Sequence, residues 1–308
     1  MRKYNLGIDI GGTSIKIGLF DLNDNLISIE KIPTNLSNYG LFILSEIVAY
    51  IKTYVNIKDI RAIGIGVPGP VLKNVAISCV NLGWEYMDVL SEMKSLLNDD
   101  EIIIKVANDA NLAAAGEIYK GVAKGYTNAF LVTLGTGIGG GIIVDGRVVE
   151  GNCGTAGEIG HSVVDREFSL NCNCGKSGCL ETVASATGIV RLAKEYFKIS
   201  NKQSYLRNVQ YLSAKKVIDA AKKGDELGLE IIDKAMGYLA ESLALVTYVI
   251  NPDILIIGGG VSNAGEFIVE RLKLAYDPLV LPFVKDMNFA IASLGNDAGI
   301  YGACYLVK

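Results

Sequence analysis

The chain has 308 residues, is 50% hydrophobic, and carries a net charge of −4. By a prior of about 150 residues per domain, that length suggests two domains, with apolar residues ample for two cores. The acidic balance implies no basic face, which argues against nucleic acid or an anionic membrane as the main partner.

Arg2 and Lys3 run straight into a strand-like segment, without the apolar run of a signal peptide. Leu6 to Asp21 reads as an apolar run, a glycine turn (Asp9-Ile10-Gly11-Gly12-Thr13), a second apolar run and an aspartate: a hairpin whose turn exposes backbone N–H groups. A short strand follows around Leu26 to Lys31. Leu41, Leu44, Ile47, Val48 and Ile51 share a helical face. Ile60 to Val67 is a β-branched strand ending in Gly66-Val67-Pro68-Gly69. Ile102 to Val106 is a buried strand ending in Asn108-Asp109, which opens a helix over Ala110 to Tyr119. Gly121, Lys124 and Gly125 cluster after that helix and place a boundary near 120–126.

The pattern then repeats. Leu131 to Asp145 is a second hairpin around Gly135-Thr136-Gly137-Ile138-Gly139-Gly140-Gly141, followed by a short strand near Val148 and Val149. Leu239, Leu243, Val246 and Val249 share a helical face. Ile254 to Ile257 is a strand ending in Gly258-Gly259-Gly260. Glu241, Asn251, Pro252 and Asp253 interrupt the most apolar stretch, so no membrane span is expected. Strands alternating with helices mean an α/β class. Two similar halves suggest two related domains with a cleft between them.

The glycine turns admit two readings. Each is compatible with a tight structural hairpin. Found twice in matching places, they favour phosphate clamps. Glycines let phosphate oxygens approach the backbone, and an aspartate at a strand end, here Asp9, can hold hydrated magnesium. No Walker loop occurs. The run from Gly137 to Gly141 leads into a strand, so it is no dinucleotide fingerprint. Asp109, at a strand end in the crevice where α/β proteins bind ligands, is a candidate functional carboxylate. The alternative is that Asn108 or Asp109 merely caps the helix.

The only histidine and three of the six cysteines fall between His161 and Cys179. One imidazole and three thiolates, His161, Cys172, Cys174 and Cys179, form the ligand set of a closed tetrahedral zinc site, and a closed site is structural. Gly175 and Gly178 allow the tight turns that bring the sulfurs together. The alternative, a disulfide with a stray thiol, needs an oxidising compartment. Cys79, Cys153 and Cys304 are expected as buried thiols. Glu158 and Glu181 flank the metal motif, which would hold both carboxylates rigidly; otherwise each is a solvated surface group.

Together these motifs resemble the ROK family (repressors, uncharacterised reading frames and sugar kinases) of the actin-like ATPase superfamily. The resemblance spans essentially the whole chain. It rests on Asp9 to Thr13, Gly66 to Gly69, Asn108-Asp109, Gly135 to Gly141, Glu158-Ile-Gly-His161, the cysteine motif with Glu181, and Gly258 to Gly260. It implies two actin-like (ribonuclease-H-like) domains with a zinc-bound loop. The expected ranges are 1–120 and 121–295, with a C-terminal helix over about 296–308 packing back on the first domain.

The resemblance further implies ATP-dependent phosphorylation of a hexose, glucose first. N-acetylmannosamine, N-acetylglucosamine or fructose kinase is the alternative, and a sugar-sensing regulator that does not phosphorylate is a rival of another class. Asp109 matches the general base. Gly69, Asn81, Asn108, Glu158, His161 and Glu181 match sugar-binding positions. Asp9 and Gly11 to Thr13 match one phosphate loop, Gly135 to Gly137 the other, and Gly258 to Gly260 the adenosine side. ATP, Mg2+ and structural Zn2+ are the implied ligands. Glucokinase-like members often carry a proline before the glycine of the segment matching Asn81-Leu82-Gly83-Trp84, which this chain lacks. The family's repressor branch carries an N-terminal helix-turn-helix domain, for which the loop at Asp9 is expected to leave no room. A cytoplasmic homodimer or homotetramer is expected.

Overall fold

A computed structural model describes residues 2–284 and 287–308. The chain divides into two compact units. Unit 1 takes Met1–Thr127, Gly141–Gly157 and Ser293–Lys308; unit 2 takes Asn128–Gly140 and Glu158–Ala292.

In chain order the first elements are β1 (Tyr4–Ile10), β2 (Ser14–Asp21), β3 (Leu26–Pro33), α1 (Ser37–Gly40), α2 (Ile43–Tyr54), β4 (Ile60–Val67), β5 (Val71–Leu72), β6 (Val75–Ala76), α3 (Val89–Leu97), β7 (Ile103–Asn108) and α4 (Asp109–Tyr119). The sheet has the order β3-β2-β1-β4-β7. Its first three strands are antiparallel, whereas β4 lies parallel to β1 and β7 parallel to β4. Burial follows from this placement. Strand β4, central and parallel, is apolar almost throughout. Edge strand β3 alternates between half-buried and exposed positions. Helix α2 buries Ile43, Leu44, Ile47, Val48 and Ile51. Each such side chain contributes about 1.5–3 kcal/mol when fully buried.

The remaining elements are β8 (Ala129–Leu134), β9 (Ile138–Val144), β10 (Arg147–Val148), α5 (Glu181–Ala184), α6 (Ala186–Ile199), α7 (Ala214–Lys222), α8 (Glu226–Ile250), β11 (Ile254–Gly258), α9 (Glu266–Tyr276), β12 (Asn288–Ile291) and α10 (Ala298–Leu306). The second sheet has the order β10-β9-β8-β11-β12, with β8, β11 and β12 parallel. Relative to their starting strands, both sheets follow one plan: third, second, first, fourth, fifth. The repeat read in the two glycine-turn hairpins is thus a repeat of topology.

Helix α10 packs into unit 1 beside α4 and the first sheet. The contact is made at backbone distance, because a Cβ on Gly64 would run into Ala303 O and one on Gly7 into Ile300 O. Gly302 is pressed in the same way against Leu112 of α4.

The fold departs from the sequence expectations in four places. Leu41 is 63% exposed and precedes α2, because Asn38, Tyr39 and Gly40 all adopt left-handed backbone and break the helix before Ile43. On α8 the buried line runs Leu239, Leu243, Thr247, while Val249 is 85% exposed. Steps of three residues fall about 60° short of a full turn, so Val246 and Val249 drift off the face that Leu243 occupies. Cys153 is exposed, in a polar loop, rather than a buried thiol. Finally, Gly141–Gly157 belongs to unit 1, where Gly141 lies against Ala110 and Gly154 against Val71. The expected range 121–295 assigns that segment to the second domain. The expected ranges also include Met1, Lys285 and Asp286, which lie outside the described residues. Among the described residues, no helix is long and apolar enough to cross a membrane.

Candidate functional site

In unit 1 the first glycine turn closes the β1–β2 hairpin, with Asp9 opposite Lys16 and Gly11 N donating to Ser14 O at 3.1 Å. Thr34 Oγ1 donates to Gly11 O at 2.6 Å, which holds the turn from outside while Thr13 stays exposed. Asp9 is half-buried, and burial pushes its carboxyl above the usual range against the opposing charge of Lys16. A Cβ on Gly299 would lie 2.6 Å from Asp9 Oδ2, so the carboxylate rests on the first turn of α10. Asn81 is exposed, and its Cβ would be 3.6 Å from a Cβ on Gly12. Asn81 and the first glycine turn are therefore neighbours.

The end of β7 settles which residue caps α4. Asn108 Oδ1 accepts from Ala110 N at 2.9 Å and Asn111 N at 3.2 Å. Asn108 Nδ2 donates to Gly69 O at 3.1 Å. One side chain thus caps the helix and ties it to the loop after β4. Asp109 is the first helical residue, and its Oδ1 accepts from Ala110 N at 2.8 Å. Beneath Gly69 lies Cys79: a Cβ on Gly69 would sit 2.9 Å from its Sγ. Burial, then the charge of Asp109, pushes this thiol up to about 12. Cys79 is the buried thiol that the sequence predicts.

In unit 2 the second glycine turn joins β8 to β9. Gly135 N donates to Gly137 O at 3.0 Å, and Ala186 N donates to Gly135 O at 2.8 Å. Gly259 adopts left-handed backbone (φ 81°), and a Cβ there would lie 2.6 Å from Leu134 C and O. The third glycine run therefore abuts the residue that opens the second turn. Gly258 pairs with Thr133 in the parallel ladder, and the face of Gly260 is open.

The metal motif folds as two tight turns, with Gly175 at φ 88° and Gly178 at φ 75°. His161 Nδ1 lies 3.7 Å from Cys172 Sγ, and Cys174 Sγ lies 3.6 Å from Cys179 Sγ. All four ligand atoms fall within 4.8 Å of one another. A tetrahedral ion with bonds of about 2.3 Å to sulfur separates its ligands by roughly 3.5–3.8 Å. The donor set and its spacing fit Zn2+. Buried Asp165 shapes the approach to this loop. Its carboxylate accepts from Glu167 N at 3.2 Å, Phe168 N at 2.9 Å and Leu170 N at 3.3 Å.

Glu158 and Glu181 are both half-buried rather than solvated. Burial raises the Glu158 carboxyl; the charge of Glu181 adds to this and that of His161 opposes it. Glu181 Oε2 accepts from Ile138 N at 3.2 Å, and its Oε1 lies 3.7 Å from Cys172 Sγ. Its link to the second glycine turn was not legible in the sequence.

Comparison with known proteins bears on this arrangement. The α/β fold matches solved sugar kinases. One is a ROK-family glucokinase from Streptomyces griseus in complex with glucose and AMPPNP: TM-score 0.77, 28% identity, 99% of each chain covered. A glucokinase of Halalkalibacterium halodurans is 38% identical over 99% of this chain and 95% of its own length. An N-acetyl-D-glucosamine kinase of Pectobacterium atrosepticum is 30% identical over 97% of each. The ROK family model matches residues 5–308. The chain belongs to the ROK family.

Proposed function

We propose that this chain catalyses ATP-dependent phosphorylation of a hexose, with glucose converted to glucose 6-phosphate. The observation that carries this reading is Asn108 capping α4 through its own side chain, which places Asp109 at the helix start without the cap depending on it. The full-length similarity to glucokinases supports the substrate.

In this reading Asp109 accepts the proton of the sugar 6-hydroxyl as that oxygen attacks the γ-phosphorus. The bond to the bridging oxygen breaks and ADP leaves. Phosphoryl transfer asks chiefly for positioning and charge stabilisation, and a placed base adds about 10²–10⁴-fold. Asn108, Glu158, His161 and Glu181 hydrogen-bond the ring hydroxyls, with Gly69 and Asn81 on the sugar side. His161 Nε2 remains for the sugar because Nδ1 faces Cys172 Sγ. Gly11 to Thr13 and Gly135 to Gly137 offer N–H groups to the phosphates, and Gly258 to Gly260 border the adenosine. Asp9 would hold Mg2+ through its water shell, and that ion would neutralise phosphate charge. Zn2+ on His161, Cys172, Cys174 and Cys179 would be structural.

A cytoplasmic homo-oligomer, dimer or tetramer, completes the proposal. Exposed Leu245, Tyr248 and Val249 on α8 support a self-association face. The similarity to N-acetylglucosamine kinases keeps an acylaminosugar as the second reading. A panel of hexoses and acylaminosugars with ATP-Mg in a coupled assay tests both. Turnover of glucose is expected. Turnover of acylaminosugars alone selects the second reading, and no turnover with any sugar favours a non-catalytic sensor.

A further inference from the structure

We infer that Glu117 is a positioning residue for this reaction: its carboxylate ties the helix that carries Asp109 to the turn after that helix and to the segment that leads into α10. Glu117 lies on α4, eight residues after Asp109, and is fully buried. At about 1.5 Å per residue the two carboxylates are roughly 12 Å apart along one rigid helix.

Three donors from two distant segments converge on the side chain. Val122 N donates to Oε2 at 2.9 Å. Ser293 Oγ donates to Oε2 at 3.0 Å and Leu294 N to Oε1 at 2.8 Å. The backbone joins in, since Glu117 O accepts from Gly121 N at 3.1 Å and Ala123 N at 3.0 Å. A Cβ on Gly121 would collide with Oε2, so the turn is moulded around the carboxylate.

This is an expensive choice for mere stability. Burial penalises a carboxylate through desolvation, and its three donors are two amides and a hydroxyl, not a cation. What a carboxylate supplies is two oxygens that accept several strong, charge-assisted bonds in a fixed geometry. A neutral amide can accept at only one of the two atoms. Both segments are thereby registered to the helix that carries the base. The Asp9 carboxylate, proposed above to hold Mg2+, rests on the first turn of α10, which follows shortly after Ser293 and Leu294. The registration therefore acts within unit 1, on the spacing of Asp109 and Asp9.

The inference rests on the kinase reading for its assay. Glu117→Gln replaces one acceptor oxygen with an NH2 that must face a donor. Ser293→Ala removes one of the three donors at an exposed position and leaves the rest. Per zinc-loaded, folded chain, E117Q is expected to lose about tenfold or more in kcat and to raise the sugar KM, because misplacement by about 1 Å can cost roughly 10²-fold. S293A should move both the same way by about threefold. The pH profile should stay as in the wild type, since Asp109 is intact. A merely structural Glu117 would lower the unfolding temperature and leave kcat, KM and the profile of folded chains unchanged. Unchanged kcat and KM in folded E117Q overturns the inference; if E117Q does not fold, unchanged values in S293A overturn it. A wild type that phosphorylates no hexose overturns the kinase reading itself, a result the variants cannot mimic.

Discussion

Glu181 Oε2 accepts a hydrogen bond from Ile138 N at 3.2 Å, so a carboxylate beside the metal motif also fixes the first residue after the second glycine turn. Unit 2 thus joins its sugar-side candidates to its phosphate-side candidates through one side chain. A Cβ on Gly137 would collide with that same oxygen. Gly137→Ala is therefore expected to push Glu181 aside and raise KM for ATP and sugar together, by about tenfold each. Thr136→Val, which alters only an exposed side chain on that turn, should weaken ATP far more than sugar. Steady-state kinetics with each substrate varied separates the two patterns. Equal losses in T136V would return the turn to a structural role.

For the proposed base, Asp109→Asn keeps the Oδ1 that accepts from Ala110 N and leaves the Asn108 cap untouched. The unfolding temperature should hardly move, while kcat falls about 10²-fold or more. Asn108→Ala should behave differently. Losing the cap costs about 1 kcal/mol of stability, and losing the bond to Gly69 O frees the loop, so Tm and sugar affinity both drop. Near-normal turnover in D109N would make Asp109 a helix-start residue and nothing more.

Metal analysis should find about one zinc per chain, bound by His161, Cys172, Cys174 and Cys179. Cys174→Ala should lose it. Activity should then collapse without any direct chemical role for the ion, and sugar affinity should fall more than ATP affinity. Full activity in metal-free wild type is the result that defeats this account.

Glu158 supplies a pH test. Its carboxyl is raised by burial, so ionising it costs more in the folded state than in the unfolded one. That cost is absent at pH values below the ordinary glutamate range, where the group is protonated in both states. It is fully present above the raised folded value. Glu158→Gln should accordingly melt higher than wild type near pH 7 without sugar, with the difference shrinking towards pH 4. Its sugar KM should rise. Thermal melts across pH check the sign, and a difference that grows on acidification would refute it.

The residues explain what could be read in advance. The four proposed metal ligands lie within 19 residues, so their meeting needs only two glycine turns. The topological repeat was visible because each half opens with the same hairpin pattern. By contrast, Glu117 meets Ser293 and Leu294 across 176 and 177 residues, and nothing in either segment advertises the other. The capping question at Asn108 and Asp109 stayed open in the sequence because both residue types cap well. Backbone direction decided it. Leu41 misled because the left-handed turn before it depends on close packing, with Gly83 beneath Tyr39 and Trp84 Nε1 bonded to Gly40 O at 3.1 Å.

Helix α10 lies at backbone distance against Gly7 of β1 and Gly64 of β4. The strands of the first sheet all precede it in the chain. At about 5–20 residues per second, the roughly 190 residues between β7 and α10 occupy the ribosome for about 10–40 s. Throughout that interval the face of β1 and β4 that will receive α10 is uncovered. The nascent first half must then be either shielded or only loosely assembled until α10 has been made, so its folding is timed by a helix far downstream and not by its own synthesis.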